Sequence, residues 1–381
     1  MNTVNETVMN STKYGDNIMY RILHVGFSEN PGGVENVVMN YYREIDRNSI
    51  QFDFLDMYGV GIAYEKDIEG LGGRVYKTEN YKKHPIKVYN QIKKILIDNN
   101  YTFIHIHMQS AANLLPVLAG IKCKTRVIAH AHSSSTPNGL SRKLLHSINV
   151  RILRKLRIEK FACGKKAGIW FWGDSFSEEN IIPNTIDLCK YSYKKIERER
   201  KRKEIGYKDE YVIGFVGRFG EEKNTLFLID VLEKMLSIDG GTRLLTVGGN
   251  DLYSLFEIKI QERKIEKAHY SAGIQMDASA WYQAMDAFLL PSFFEGFPMV
   301  GLEAQAAGLP CFFSDRISRE IDLTGNVVFL PIDGEDSDLM WAKEILKHRN
   351  NHRCSINNSQ IEKYDTKVAV KRLEKIYTSL Q

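Results

Sequence analysis

The sequence predicts an α/β protein made of two doubly wound halves, and three observations predict it. Short apolar runs alternate with longer segments whose apolar residues recur at helical spacing. The alternation begins near residue 20, breaks at a charge-dense polar stretch, and then restarts. The length, 381 residues, corresponds to two domains at ~100–200 residues each, and each is long enough to bury a core of its own.

The elements follow in order. Residues 19–27, MYRILHVGF, read as an opening strand that ends in glycine, and 34–45, VENVVMNYYREI, as the helix after it. QFDFLDMY, GGRVYK, YTFIHIHM and TRVIAHAH are further short strands, separated by helical segments such as HPIKVYNQIKKILIDNN. Strands alternating with helices predict βαβ units and a parallel sheet. The second half repeats the scheme with strand EYVIGFVGR, helix KNTLFLIDVLEKML, strand TRLLTVGG and helix DLYSLFEIKIQERKI. Strands DAFLLPS and LPCFFSD then flank a helix over MVGLEAQAAG. Residues 190–204, KYSYKKIERERKRKE, carry no sheet-forming run and read as an interdomain connection plus a solvated helix of mixed charge. The expected division is a tail over 1–17, one domain over 18–188, and a second over 189–365, with 366–381 returning to the first.

Composition and charge narrow the function classes. The chain is 43% hydrophobic and 26% charged, which excludes disordered, collagen-like and small disulfide-rich proteins. Its five cysteines form no CxxC, which argues against a zinc site or a disulfide framework and fits a reducing compartment. The net charge of +5 arises in the first half. Residues 99–173 hold twelve basic side chains and one acid, Glu159, and such a patch favours phosphate in some form. Segment 141–161 looks helical, with Leu144, Leu145, Ile148, Ile152, Leu153 and Leu156 set among Arg142, Lys143, Arg151, Arg154, Lys155 and Arg157. It reads either as a surface helix against anionic lipid or as a packed helix with a solvated basic face. No run reaches the ~18–20 apolar residues of a membrane span, and MNTVNETVMNSTKYGDN lacks the basic and apolar regions of a signal peptide. A polar, mobile tail and a cytoplasmic protein are expected, in solution or peripheral on the inner face of the plasma membrane. The basic patch contains no recognisable nucleic-acid module, so no nucleic-acid partner is expected.

In open parallel sheets ligands bind beyond the carboxyl ends of the strands, so the loops after strands carry the information. In FSENPGGVENV, Gly32 and Gly33 bring backbone close to a ligand and lead into a helix N-terminus suited to an anion. A plain strand-to-helix turn is the equal alternative, since the segment is not a GxGxxG. In VGRFGEEKN, Arg218 and Lys223 stand five residues apart across a turn. Two fixed cations there suit a pyrophosphate, whereas ordinary pairing with Glu221 and Glu222 is the other reading. In PSFFEGFPMVGLEAQAAGLP, Glu295 lies in the loop after a strand, Pro298 in the first turn of the next helix, and Glu303 about five residues into it. Both carboxylates then face one cleft, with the Gly296 and Phe297 amides aimed at the same place. His105/His107 and His130/His132 are pairs at i, i+2 that share one strand face. No cysteine or carboxylate completes a metal set around them, so no metal is expected.

The block Glu295-x7-Glu303 within PSxxEGFPxxxxEAxAxGxP resembles the signature of the retaining family-4 glycosyltransferases, whose fold is GT-B. The GRFGEEKN and PGGVE loops fall where that family sets its phosphate-facing loops. The resemblance runs over the chain from about residue 20 and is closest to bacterial exopolysaccharide and capsule enzymes. It implies two Rossmann-like domains facing each other across a cleft, the first for the acceptor and the second for the donor. It implies transfer of a sugar, with retention, from a nucleotide-sugar donor, expected to be a UDP-sugar, to a glycan acceptor, expected to be lipid-linked. Neither a cofactor nor a metal is implied. Glu295 would bind donor-sugar hydroxyls, Glu303 ribose hydroxyls, and Arg218 and Lys223 the leaving diphosphate. His132 would face the donor sugar, Gly32 and Gly33 would give phosphates or acceptor room, and Gly296, Phe297 and Pro298 would line the donor loop. Thr185 stands where relatives carry glycine, and Gly249-Asn250 where Asp-Gly is common, so no nucleobase contact is assigned there. The lone Asp-x-Asp, Asp336-Ser337-Asp338, reads as a helix cap instead of a metal pair. Another GT-B nucleotide-sugar enzyme, such as an epimerase or phosphorylase, or a non-catalytic sugar-nucleotide-binding subunit, is the alternative.

Overall fold

The structure is a computed structural model that describes residues 19–133, 139–350, 353 and 359–380. The tail expected over 1–17 lies outside these residues. The described chain divides into two compact units. One runs to Thr185 and includes the helix Thr366–Ser379; the other spans Ile186–Asp365.

The first unit holds a six-stranded parallel sheet of β1 (Tyr20–Val25), β2 (Ile50–Asp56), β3 (Val75–Lys77), β4 (Phe103–Met108), β5 (Arg126–Ala131) and β6 (Glu159–Ala162), in the order β3-β2-β1-β4-β5-β6. The second holds β7 (Tyr211–Val216), β8 (Thr242–Val247), β9 (His269–Ser271), β10 (Ala287–Leu290), β11 (Cys311–Ser314) and β12 (Val327–Leu330), in the order β12-β11-β10-β7-β8-β9. Counted from each unit's own first strand, both orders are the same doubly wound arrangement. Each reverses beside that first strand, between β1 and β4 and between β7 and β10, and ligand crevices form at such reversals.

Strands covered on both faces read as near-continuous apolar runs, and YVIGFV of β7 and CFFS of β11 are buried throughout. The first sheet departs from that rule on one face. Leu23, Val25, Ile104, Ile106, Val127 and Ala129 join the apolar core. The opposite face of the same strands carries His24, His105, His107 and His130, all buried. Gly26 follows β1 with φ +123°, and a Cβ there would stand 2.4 Å from the His107 carbonyl oxygen, so only glycine fits where β1 leaves the sheet beside β4.

Three local readings change. Helix Lys195–Glu204, expected to be solvated, is so on one face only: the other packs on Ser279–Ala284, and Arg198 and Arg202 both pair with Asp286. The Lys201 ammonium lies 4.1 Å from the Trp281 ring centroid, so the aliphatic stems are buried while their charges find partners. Pro298 is the N-cap of helix Met299–Ala306, one step before the first turn. Asp336 occupies the N-cap of helix Ser337–Lys347 but its side chain accepts no amide there, and Asp338 reaches Lys234 at 3.8 Å.

Candidate active site

In the second unit, the loops after β7 and β10 meet at the reversal of strand order. The chain leaves β7 through Gly217 and makes a short turn at Glu221–Lys223. The Phe293 amide donates to the Glu222 carbonyl at 2.9 Å and ties the two loops together. Across this tie the Lys223 ammonium donates to Glu295, whose carboxylate also accepts from Ser292 Oγ at 2.8 Å. Both ends of the pair are largely shielded, with side-chain exposures of 18% and 13%. Arg218 is 58% exposed and pairs with Glu222 on its own loop.

Glu303 lies on the helix that follows, fifth from its start, as its spacing predicts. It is buried and accepts a hydrogen bond from Tyr282 Oη at 2.7 Å. Burial pushes its carboxyl up to about 7, while hydrogen bonds from Tyr282 and Tyr191 and the charge of Lys190 hold it down from a higher value. Phe297 stacks on Tyr364 with ring centroids 4.9 Å apart. Among the described residues, the Gly296 and Phe297 amides donate to no protein group, which leaves two N–H groups beside Glu295.

In the first unit, helix Gly33–Glu44 starts directly from the loop after β1. Its N-cap Gly32 is extended and carries no side-chain cap. Buried Glu35 folds back instead, accepting from Ser28 N and Ser28 Oγ, both at 2.8 Å. A Cβ on Gly32 would stand 2.8 Å from that carboxylate, whereas one on Gly33 would meet nothing within 4 Å.

At the carboxyl ends of β1, β4 and β5 stands a row of five histidines. His24 Nδ1 and His107 Nε2 are 2.9 Å apart, His107 Nδ1 and His132 Nε2 2.9 Å, and His105 Nε2 and His130 Nδ1 3.3 Å; His105 Nδ1 reaches Tyr377 Oη at 2.6 Å. Each link runs to the residue two beyond the register partner on the next strand, because side chains lean along the strand direction. Burial pushes His24 and His132 down to about 3. It also holds His105, His107 and His130 well below the ordinary imidazole range, with neighbouring histidines adding to the effect. All five rings are therefore neutral at pH 7.

Two trios, His24/His105/His107 and His107/His130/His132, bring nitrogens within 4.8 Å of one another. Their facing nitrogens are already hydrogen-bonded in pairs. The His24 and His107 rings lie nearly parallel, at 14°, and meet edge to edge through their hydrogen bond, while the His105 and His107 rings stack at 22°.

The structure thus brings Lys223, Glu295, Gly296 and Phe297 together and sets Glu303 on the next helix, while Arg218 turns to Glu222. His132 joins a network that the sequence reading missed, since His24 was not singled out. The sequence shows a histidine in each of the strands HVG, HIH and HAH, but only the sheet order β1-β4-β5 makes them neighbours on one face.

Residues 31–164 match Glycosyltransferase Family 4, and residues 197–326 match Glycosyl transferases group 1. EpsF of Bacillus subtilis (strain 168), named as a glycosyltransferase, is 28% identical over 86% of this chain and 87% of its own length. The Escherichia coli UDP-Gal:alpha-D-GlcNAc-diphosphoundecaprenol alpha-1,3-galactosyltransferase is 26% identical over 61% of this chain and 62% of its own. Other relatives are named for capsular polysaccharide and O-antigen biosynthesis. Among solved structures, Anabaena Alr3699/HepE in complex with UDP superposes with a TM-score of 0.73 at 15% identity, covering 95% of this chain and 100% of that one. The fold is GT-B, and the protein is a glycosyltransferase. Within that class the chain belongs to the family-4 glycosyltransferases, with a family-4 domain followed by a group-1 domain.

Proposed function

We propose that the protein transfers a sugar, with retention and without a metal ion, from a UDP-sugar to a lipid-diphosphate-linked glycan during cell-surface polysaccharide assembly. The second unit would take the donor and the first the acceptor. The observation that carries this reading is the contact between Lys223 and Glu295 across the β7 and β10 loops. In a nucleotide sugar the hexose is joined to the diphosphate through the anomeric C–O bond that breaks, so the groups recognising the two must be neighbours. Glu295 accepts from sugar hydroxyls. Lys223 and Arg218 neutralise charge as it builds on the departing diphosphate, which is where fixed cations lower the barrier. Glu303 receives ribose hydroxyls from its place on helix Met299–Ala306, Gly296 and Phe297 donate amides, and Pro298 fixes the helix entry. Gly32 and Gly33 leave a helix N-terminus open to phosphate or acceptor, and His132 faces the sugar.

The Escherichia coli relative's diphosphoundecaprenol acceptor supports a lipid-linked acceptor here, and the UDP held by the Anabaena structure supports the nucleotide. No helix among the described residues is long and apolar enough to cross a membrane. Helix Leu140–Lys155 nevertheless leaves Leu140, Leu144, Leu145, Ile148 and Ile152 exposed among its basic residues, which supports peripheral contact with anionic lipid at a cytoplasmic face. The testing experiment is a thermal-shift and slow-hydrolysis screen of nucleotide sugars on wild type, Glu295→Ala and Arg218→Ala. A UDP-sugar should stabilise the wild type by several degrees and both variants less. Equal stabilisation of all three proteins, or of none, overturns the site.

A further inference from the structure

Three rings of the histidine row form one continuous chain, His132–His107–His24, closed by two hydrogen bonds of 2.9 Å. The far end, His24 Nε2, is buried with no hydrogen-bond partner, beside a small cavity walled by Val37, Val38, Phe52 and Leu373 together with Tyr41, Tyr377 and the other histidines of the row. Elementary proton counting then restricts the chain. A neutral imidazole carries one N–H, and each hydrogen bond between rings needs one N–H and one bare nitrogen. If His107 holds its proton on Nδ1, it donates to His132 Nε2 and accepts from His24 Nδ1. His132 must then be protonated on Nδ1, and His24 Nε2 is bare. If His107 holds its proton on Nε2, every ring reverses: His132 Nδ1 becomes bare and His24 Nε2–H is buried without an acceptor. No third arrangement satisfies both bonds. An orphaned buried N–H is rarer than an under-used acceptor, so the first arrangement is favoured.

We propose that His107 and His24 are positioning residues that hold His132 as the Nδ1–H tautomer, so that its outer nitrogen is a hydrogen-bond donor at the carboxyl end of β5. The proposal rests on the reading that His132 faces the donor sugar. A neutral donor fixed in direction suits an oxygen of the sugar or of the departing phosphate, because it need not reorganise as charge develops. His24 acts without touching substrate: its unpartnered nitrogen sets the direction of two bonds and, through them, the chemistry offered by a ring two strands away. His105 does not interrupt this chain, since its own nitrogens are turned to His130 and Tyr377.

The test reads the tautomer directly. In the full-length protein carrying 15N-histidine, His132 should show a protonated Nδ1 and a bare Nε2, with the same pattern at His107 and His24. His24→Asp puts an acceptor where the donating Nδ1 stood, so His107 should take its proton on Nε2 and His132 should reverse to a protonated Nε2 and a bare Nδ1. His107→Leu should lower kcat on the order of tenfold to a hundredfold while leaving acceptor KM unchanged. His107→Asn places an amide where Nδ1 stood and should restore much of the loss. A wild-type His132 protonated on Nε2 overturns the proposal even if neither variant folds. So does a tautomer unmoved in folded His24→Asp, an unchanged kcat in folded His107→Leu, or stoichiometric Zn2+ shifting these ring resonances. The predicted tautomers in a protein that consumes no nucleotide sugar would instead sink the functional reading and leave the proton chain standing.

Discussion

The two units share one strand order but connect their reversal points in opposite ways. Between β7 and β10 the bridge is an ion pair, Lys223 to Glu295, with a buried acid on the next helix. Between β1 and β4 it is an uncharged contact, His24 to His107, in a row of rings that burial keeps neutral. A site that meets developing phosphate charge needs fixed cations, and the second unit supplies them. The first offers directed hydrogen bonds and, on helix Leu140–Lys155, a basic surface. The same scaffold thus carries electrostatics in one half and orientation in the other.

The hardest attempt to break that contrast is to remove the ion pair. Lys223→Ala and Glu295→Gln should each lower transfer on the order of 10²–10³-fold in steady-state kinetics. Arg218→Ala should cost about tenfold, because the guanidinium is exposed and shared with Glu222. Equal losses at Arg218 and Lys223 would show that the cross-loop contact has no special place.

A pH scan sharpens the contrast, because the two units should respond with opposite sign. The histidines have folded values below their unfolded 6.5. Below that pH the unfolded chain binds protons that the folded row refuses, and stability falls as pH drops toward about 3, the value for His24 and His132. Each ring that stays neutral while its unfolded counterpart is protonated steepens that fall. Glu303 is the reverse. Its folded value of about 7 lies above the ordinary 4.5, so the folded unit holds a proton that the unfolded chain has lost, and its contribution weakens as pH rises from 4.5 to 7. Calorimetry between pH 7.5 and 5.5 should show the first unit's transition falling, and His24→Phe should flatten the fall. Glu303→Gln should remove the second unit's loss at high pH. Because ribose hydroxyls bind best to an ionised acceptor, UDP affinity should rise through pH 7 in wild type by several-fold and stay level in Glu303→Gln.

The fold was legible because its signal is local: short apolar runs, helical spacing between them and a restart near residue 210 specify two doubly wound sheets without tertiary knowledge. The candidate loops were legible for the same reason, since Glu295, Glu303 and Lys223 lie in short segments after strands. Their pairing was not, because Arg218 and Lys223 look equivalent in sequence and only the packing of two loops sends one to Glu222 and the other to Glu295. Helix Lys195–Glu204 misled for a related reason. Its charges read as solvated, yet Asp286, some 85 residues away, neutralises Arg198 and Arg202. His24 lay hidden because a lone histidine in a strand carries no meaning until the register places it beside His105 and one diagonal step from His107.

The smallest expected effect separates room kept for the fold from room kept for a ligand. Gly26 and Gly33 flank the same loop after β1. At Gly26 the positive φ and the His107 carbonyl at 2.4 Å from any Cβ mean that Gly26→Ala must shift β4, at a cost above about 2 kcal/mol and a lowered melting temperature. At Gly33 a Cβ meets nothing within 4 Å, and the position opens a helix where alanine is the better former. Gly33→Ala should therefore leave the melting temperature level or raise it by a degree or two. If protein packing alone chose that glycine, activity would be unchanged as well. A rise of a few-fold in KM, with stability intact, assigns the empty space to a bound phosphate or acceptor that approaches the helix N-terminus too closely for a methyl group.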